Sequence, residues 1–223
     1  MITSGNRNKK NVIIFGSTGY IGSLISKEIS KFNINLILHG KNRKKLESLH
    51  DEISNESLKP SLLMLDVEKK NDFLNLQSII LQRFKKIDIM INSIGLIDKI
   101  CPLTDLDDNE WDKLIEVNLS SNWRILKKLE PLMINSEHPR IIFFNDLKIS
   151  KGHPYYHAYA IAKSGLKAMV KIYSSEKKKF NFYIKIIDIQ QSSVGVYKKI
   201  YSKENKDLQI KRKIKEVTKS FFV

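Results

Sequence analysis

Four consecutive apolar residues, VIIF at 12–15, run directly into GSTGYIG, with glycine at 16, 19 and 22. The apolar run suits a strand buried on both faces. The residues that follow, 21–32, carry the period of a helix. The junction therefore reads as strand, glycine turn, helix. Gly16 allows a sharp exit from the strand, Gly19 lets the backbone approach a bound group, and Gly22 permits close packing of helix on strand. A helix N-terminus at such a turn offers unpaired N–H groups and the positive end of a dipole, the setting that receives a phosphate. The spacing is G-x-x-G-x-x-G rather than G-x-G-x-x-G, so the loop alone leaves two readings open: a dinucleotide cradle or a plain turn.

The pattern then repeats. Strand-like runs stand at 12–15, 35–39, 61–65, 87–92, 140–145 and 182–189, and helical patterns at 21–32, 42–54, 70–85, 107–134 and 157–179. Thr104 or Asp107 caps the fourth helix, whose first turn is acidic. Continuous apolar runs suit strands covered on both faces. The alternation predicts one α/β domain over residues 1–223: a single doubly wound (Rossmann-type) parallel sheet with helices on both faces. A core at 10–190 is followed by a basic helical segment at 196–223. Ligand is expected at the carboxyl ends of the strands.

Composition narrows the class. The 223 residues suffice for one sizeable core, and 42% hydrophobic with 28% charged residues is ordinary for a soluble protein. No apolar run approaches the ~20 residues that span a bilayer, and MITSGNRNKKN has no signal-peptide core. The lone cysteine, Cys101, suits a reducing cytoplasm. The net charge of +15 suggests an anionic partner, but only six of the 39 basic residues are Arg, and the lysines are spread along the whole chain. Nucleic-acid binding is therefore not expected, and the excess is read as compositional bias and solvated helix faces.

Residues 10–190 resemble the short-chain dehydrogenase/reductase family. GSTGYIG resembles its glycine motif in the form of the extended and atypical members; LDV at 65–67 resembles the adenine-contacting segment, with Asp66 and Val67. IDIMINSIG resembles the NNAG turn, with Asn92 and Gly95 retained and Ser93 and Ile94 substituted. NEWDKLIEVNLSS resembles the helix carrying a structural and catalytic Asn, here Asn118. YAIAK is a Y-x-x-x-K motif at Tyr159 and Lys163. The resemblance implies an oxidoreductase that interconverts a carbonyl and an alcohol. Residues i and i+4 share a helix face, so Lys163 stands beside Tyr159 and lowers its pKa; the resemblance implies that it also holds the nicotinamide ribose. By the same resemblance, Tyr159 is expected to exchange a proton with the substrate oxygen and Asn118 to hold a relaying water. The cofactor set is Gly16, Ser17, Thr18, Gly19, Tyr20, Ile21, Gly22, Lys41, Asn42, Asp66, Val67, Asn92, Ser93, Gly95, Tyr159 and Lys163. After the second strand comes HGKNRKK, where Gly40 replaces the acid that would take the NAD ribose and Lys41 follows. This favours NADP, with NAD as the alternative.

Three features depart from the family. Its catalytic Ser falls at Asp146, beside Asn145; an ionised Asp cannot donate a hydrogen bond to a carbonyl, whereas Asn145 can. The Pro-Gly turn after the sixth strand is replaced by QQSSVGV, with Ser193 and Gly195. The C-terminal substrate region looks reduced. No metal is expected: Pro154 disfavours a helix joining His153 and His157, and a third ligand is not evident. The expectation is a cytoplasmic NADP(H)-dependent carbonyl reductase or alcohol dehydrogenase, paired as a homodimer through helices 107–134 and 157–179. The glycine spacing hints at a sugar-related substrate. The alternative is an NADP(H)-binding sensor or partner subunit with impaired catalysis.

Overall fold

The computed structural model describes residues 9–146, 149–189 and 207–221. Six parallel strands form one sheet, in the order β3-β2-β1-β4-β5-β6. They are β1 (Lys10–Phe15), β2 (Ile34–Gly40), β3 (Ser61–Met64), β4 (Ile89–Asn92), β5 (Arg140–Asn145) and β6 (Tyr183–Asp188). The helices are α1 (Tyr20–Ile29), α2 (Arg43–Ile53), α3 (Leu76–Phe84), α4 (Asp108–Ile115), α5 (Ser121–Met133), α6 (His157–Glu176) and α7 (Asp207–Lys219).

Alternate residues of each inner strand feed two cores. Ile13 and Phe15 of β1 join one cluster with Leu76 and Ile80 of α3, Leu129 of α5 and Leu166 of α6. Val12 and Ile14 join the other with Ile25 and Ile29 of α1, Leu46 and Leu49 of α2, and Ile210 and Ile214 of α7. Burying each such side chain contributes about 1.5–3 kcal/mol, so both layers are needed to hold the sheet. The strand order reverses between β1 and β4, and that crevice at the carboxyl ends is where open α/β sheets bind ligands.

Several elements differ from the sequence expectation. β3 and β6 are edge strands and are not covered on both faces: Leu62 and Met64 are 41% and 63% exposed, and Tyr183 43%. β4 starts at Ile89 rather than 87, because Ile87 N–H donates to the Leu132 carbonyl and the Asp88 carboxylate takes the Asn11 N–H at 2.8 Å. The expected helix at 70–85 divides into a 3-10 turn (Lys70–Phe73) and α3. The expected helix at 107–134 is interrupted by a π turn (Glu116–Ser120). Asp107 caps α4 by accepting the Glu110 N–H at 2.9 Å, while Thr104 lies in a short 3-10 turn before it. The C-terminal basic segment is helical over Asp207–Lys219 and docks on α1. Among the described residues no helix is long and apolar enough to cross a membrane.

Candidate active site

The glycine turn closes onto the turn after β4. Gly16 adopts φ +73°, a conformation only glycine takes cheaply. A Cβ at Gly22 would stand 2.2 Å from the Gly16 carbonyl oxygen, so the first helical turn can sit this close only without a side chain. Ser93 fastens the two turns: its hydroxyl donates to the Phe15 carbonyl at 2.9 Å, and its N–H donates to the same oxygen at 3.0 Å. Gly19 is the N-cap of α1 and supplies no side-chain cap, which leaves the helix N-terminus open to an outside acceptor. The cradle thus fits a pyrophosphate. Ser17 takes no part in that opening: it is fully buried, and its hydroxyl donates to the His39 carbonyl at 2.9 Å. Tyr20 and Ile21 pack their side chains toward the α1 core.

At the end of β2, a Cβ on Gly40 would meet Thr18. Lys41 Nζ stands 2.6 Å from Glu68, which raises the lysine pKa chiefly through that hydrogen bond. Asn42 caps α2, accepting the Lys45 N–H at 3.0 Å. A cleft of about 370 Å³ between α1 and α2 is lined by Thr18, Lys27, Lys44, Lys45 and Glu52 among others. Beyond β3, Asp66 shapes its own turn, accepting the Glu68 N–H at 3.2 Å, and Val67 is buried in the core.

The turn after β4 is built on asparagines. Asn92 accepts the Ile94 N–H at 3.0 Å and donates to Asn122 Oδ1 at 2.9 Å. Asn118 sits in the π turn with no exposure. Its Oδ1 accepts the Leu96 N–H at 3.0 Å, and its amide donates to the carbonyls of Leu96 and Leu114, each at 2.9 Å. Its own carbonyl accepts the Asn122 amide at 2.9 Å. Both amide N–H groups of Asn118 are therefore committed to fixing the segment at Gly95 and Leu96, and neither is left to carry a water relay. π turns concentrate at functional sites, and this one is held by cross-element asparagine bonds.

On α6, Tyr159 and Lys163 are both 3% exposed. The Lys163 ammonium lies 5.6 Å from the Tyr159 ring centroid and donates to the Ile94 carbonyl at 3.4 Å. Burial pulls its pKa down from 10.5 to about 8, and the negative charge of Asp146 opposes that fall. Asp146 is itself 5% exposed and accepts the Ile149 N–H at 3.2 Å. The expected site residues Tyr159, Lys163 and Asp146 thus gather at the carboxyl end of β5. Asn145 beside it donates one amide N–H to Asp188 on β6 at 3.1 Å, and its Oδ1 is buried without a hydrogen-bond partner among the described residues. The loop into α6 is strained, with Tyr155 at φ +67° and His157 at φ +30°. His157 is tied to the Lys99 carbonyl at 3.2 Å, and among the described residues no group of three or more His, Cys, Asp or Glu is arranged to hold a metal. Ser193 and Gly195 lie outside the described residues.

Two site residues were not anticipated. Asn122 is one turn from Asn118 in NLSSN, a spacing that could have flagged it. His39 is a polar residue that follows the apolar run Leu36–Leu38 at the carboxyl end of the strand.

A glycine-turned first strand, a β4 turn braced on it and a buried Tyr–Lys pair on one helix together define a dinucleotide-type α/β site. The chain belongs to the short chain dehydrogenase family, which matches residues 10–205. It is 22% identical over 172 residues to the uncharacterized oxidoreductase YciK of Escherichia coli (strain K12), covering 76% of this chain and 68% of that protein. It is 28% identical over 171 residues to D-beta-hydroxybutyrate dehydrogenase of Rhizobium meliloti (strain 1021), covering 75% and 65%. With the 3-oxoacyl-[acyl-carrier-protein] reductase FabG of Rickettsia conorii it shares 27% identity over 167 residues, 75% and 66% of the two chains. The chain thus spans about two thirds of the length of these relatives. A short chain dehydrogenase of Shigella flexneri 2a str. 301, solved in complex with NADP, superimposes with a TM-score of 0.84 at 18% identity, over 96% of this chain and 90% of that one.

Proposed function

We propose that this chain is an NADP(H)-dependent oxidoreductase that interconverts a carbonyl and an alcohol. The observation that carries the reading is the buried Tyr159–Lys163 pair beside the open glycine cradle. The nicotinamide, when bound, supplies or accepts the hydride. Gly16, Gly19 and Gly22 bring the backbone up to the pyrophosphate, and the α1 N-terminus meets its charge. Lys163, held in a dry site, presents an ammonium to the Tyr159 phenol and favours loss of its proton. Tyr159 then gives that proton to a carbonyl oxygen, or takes it from an alcohol. Asp146 occupies the place of a hydroxyl donor; its contribution is charge, which sustains the Lys163 ammonium. Asn118 acts as the staple that holds the Leu96 segment against the π turn.

Preference for NADP rests on Gly40 and on the lysines around Thr18 at the α1–α2 cleft. The relative names point to 3-hydroxy and 3-oxo acyl compounds as the first substrates to screen. Trp123, Ile161 and Ile172 expose apolar surface on α5 and α6 and support pairing of two copies through those helices.

The test is fluorescence titration with NADPH and NADH, followed by a carbonyl screen with Tyr159→Phe as control. Tyr159→Phe should keep NADPH affinity and lose turnover by about 10²–10⁴-fold. Absence of binding by either nucleotide would overturn the assignment.

A further inference from the structure

His39 is 3% exposed at the carboxyl end of β2, and its ring joins two other strands. Gly16 N–H donates to His39 Nδ1 at 3.1 Å, and His39 Nε2 lies 3.1 Å from the Leu65 carbonyl. A backbone N–H only donates and a carbonyl only accepts, so the two bonds coexist in one form: neutral imidazole with its proton on Nε2. The His39 carbonyl in turn accepts the Ser17 N–H and the Ser17 hydroxyl, each at 2.9 Å. Three polar groups of the glycine turn therefore end on one residue of β2.

We infer that His39 is a positioning residue for the nucleotide: by accepting the Gly16 N–H it sets the glycine turn, before ligand arrives, in the shape that leaves the α1 N-terminus open. This rests on the reading of that turn as the NADP(H) site. Glycines lose more backbone freedom on ordering than any other residue, so a turn with three of them gains most from being ordered in advance. Burial holds the ring at about 4, far below the usual 6.5, and Asp66 is the charged group beside it that pulls the other way. The acceptor is thus present at neutral pH.

Two substitutions separate the two bonds. His39→Asn keeps an acceptor near the Nδ1 position and loses the reach to Leu65. His39→Gln keeps a donor near the Nε2 position and offers Gly16 nothing. NADPH is titrated into wild type and both variants, and the thermal midpoint of each is measured without nucleotide. His39→Gln should bind about tenfold more weakly and His39→Asn within about threefold of wild type, whatever their midpoints. Equal losses, or better binding by His39→Gln, would mean that the ring only braces β2 on β3, and would overturn the inference. The tautomer is read separately from histidine ¹⁵N shifts, and a ring protonated on Nδ1 would also overturn it. A wild type that shows the Nε2–H tautomer yet binds neither nucleotide would instead sink the proposed function, and the role in binding with it.

Discussion

Thr18 and Gly40 face each other so closely that a Cβ at Gly40 would lie 3.0 Å from the Thr18 hydroxyl oxygen and 3.1 Å from its methyl. One residue belongs to the glycine turn and the other to the end of β2, so the turn's own side chain fills the space that a larger β2 residue would take. On the proposed reading, this contact shapes the ribose end of the cofactor site as much as charge does.

Gly40→Asp alone should therefore weaken NADPH binding without giving tight NADH binding. Adding Thr18→Ala clears the space, and the double variant should bind NADH about tenfold more tightly than the single one. Titration of both nucleotides checks this. Strong NADH binding by Gly40→Asp alone would show that Thr18 yields without cost.

Lys41 is paired with Glu68 at 2.6 Å, and on the proposed reading Glu68 competes with a cofactor phosphate for it. The pair is solvent-exposed and adds little stability. Glu68→Gln should leave the melting midpoint unchanged and tighten NADPH binding by about two- to fivefold at low salt, an advantage that fades as salt screens it. Unchanged affinity would remove Lys41 from the site.

The charge of Asp146 supports the ammonium of Lys163, whose pKa is about 8. Asp146→Asn removes that support, so the Lys163 pKa falls further. If Tyr159 needs the ammonium, the alkaline limb of kcat/KM should move to lower pH in the variant. A pH–rate profile that does not move would separate Asp146 from the proton path.

His39 and Lys163 are buried bases with pKa values lowered to about 4 and about 8. In both cases the unfolded chain binds more protons than the folded one between the two pKa values. Stability therefore rises with pH from about 4 to 6.5 through His39, and from about 8 to 10.5 through Lys163. The second step is on the order of 3 kcal/mol at ~1.4 kcal/mol per pH unit. Lys163→Met should abolish that step in urea unfolding measured at pH 7.5 and 10. A variant that keeps it would place the titration elsewhere.

The strand–helix alternation was legible because each inner strand is a continuous apolar run, and the Tyr159 and Lys163 positions because their spacing follows from helix geometry. The edge positions of β3 and β6 were not, since SLLM carries no mark of which neighbour it lacks. Asn145 could not be assigned from its place beside Asp146, because its partner Asp188 lies across a strand pair formed late in the sequence. The π turn was equally hidden: EVNLS follows the helical period, and contacts from Leu96 and Asn122 accompany its widening. His39 was passed over as an ordinary strand residue because its role depends on two segments distant in the sequence.

The packing of α7 on α1 brings together two helices with almost the whole sequence between them. During synthesis α1 is delivered long before α7. Until α7 follows, Ile25 and Ile29 lack the cover that Ile210 and Ile214 later provide. The cradle's helix is thus finished by a contact of very long sequence separation, the kind that slows folding and prolongs the time an apolar face is open to aggregation or to a chaperone.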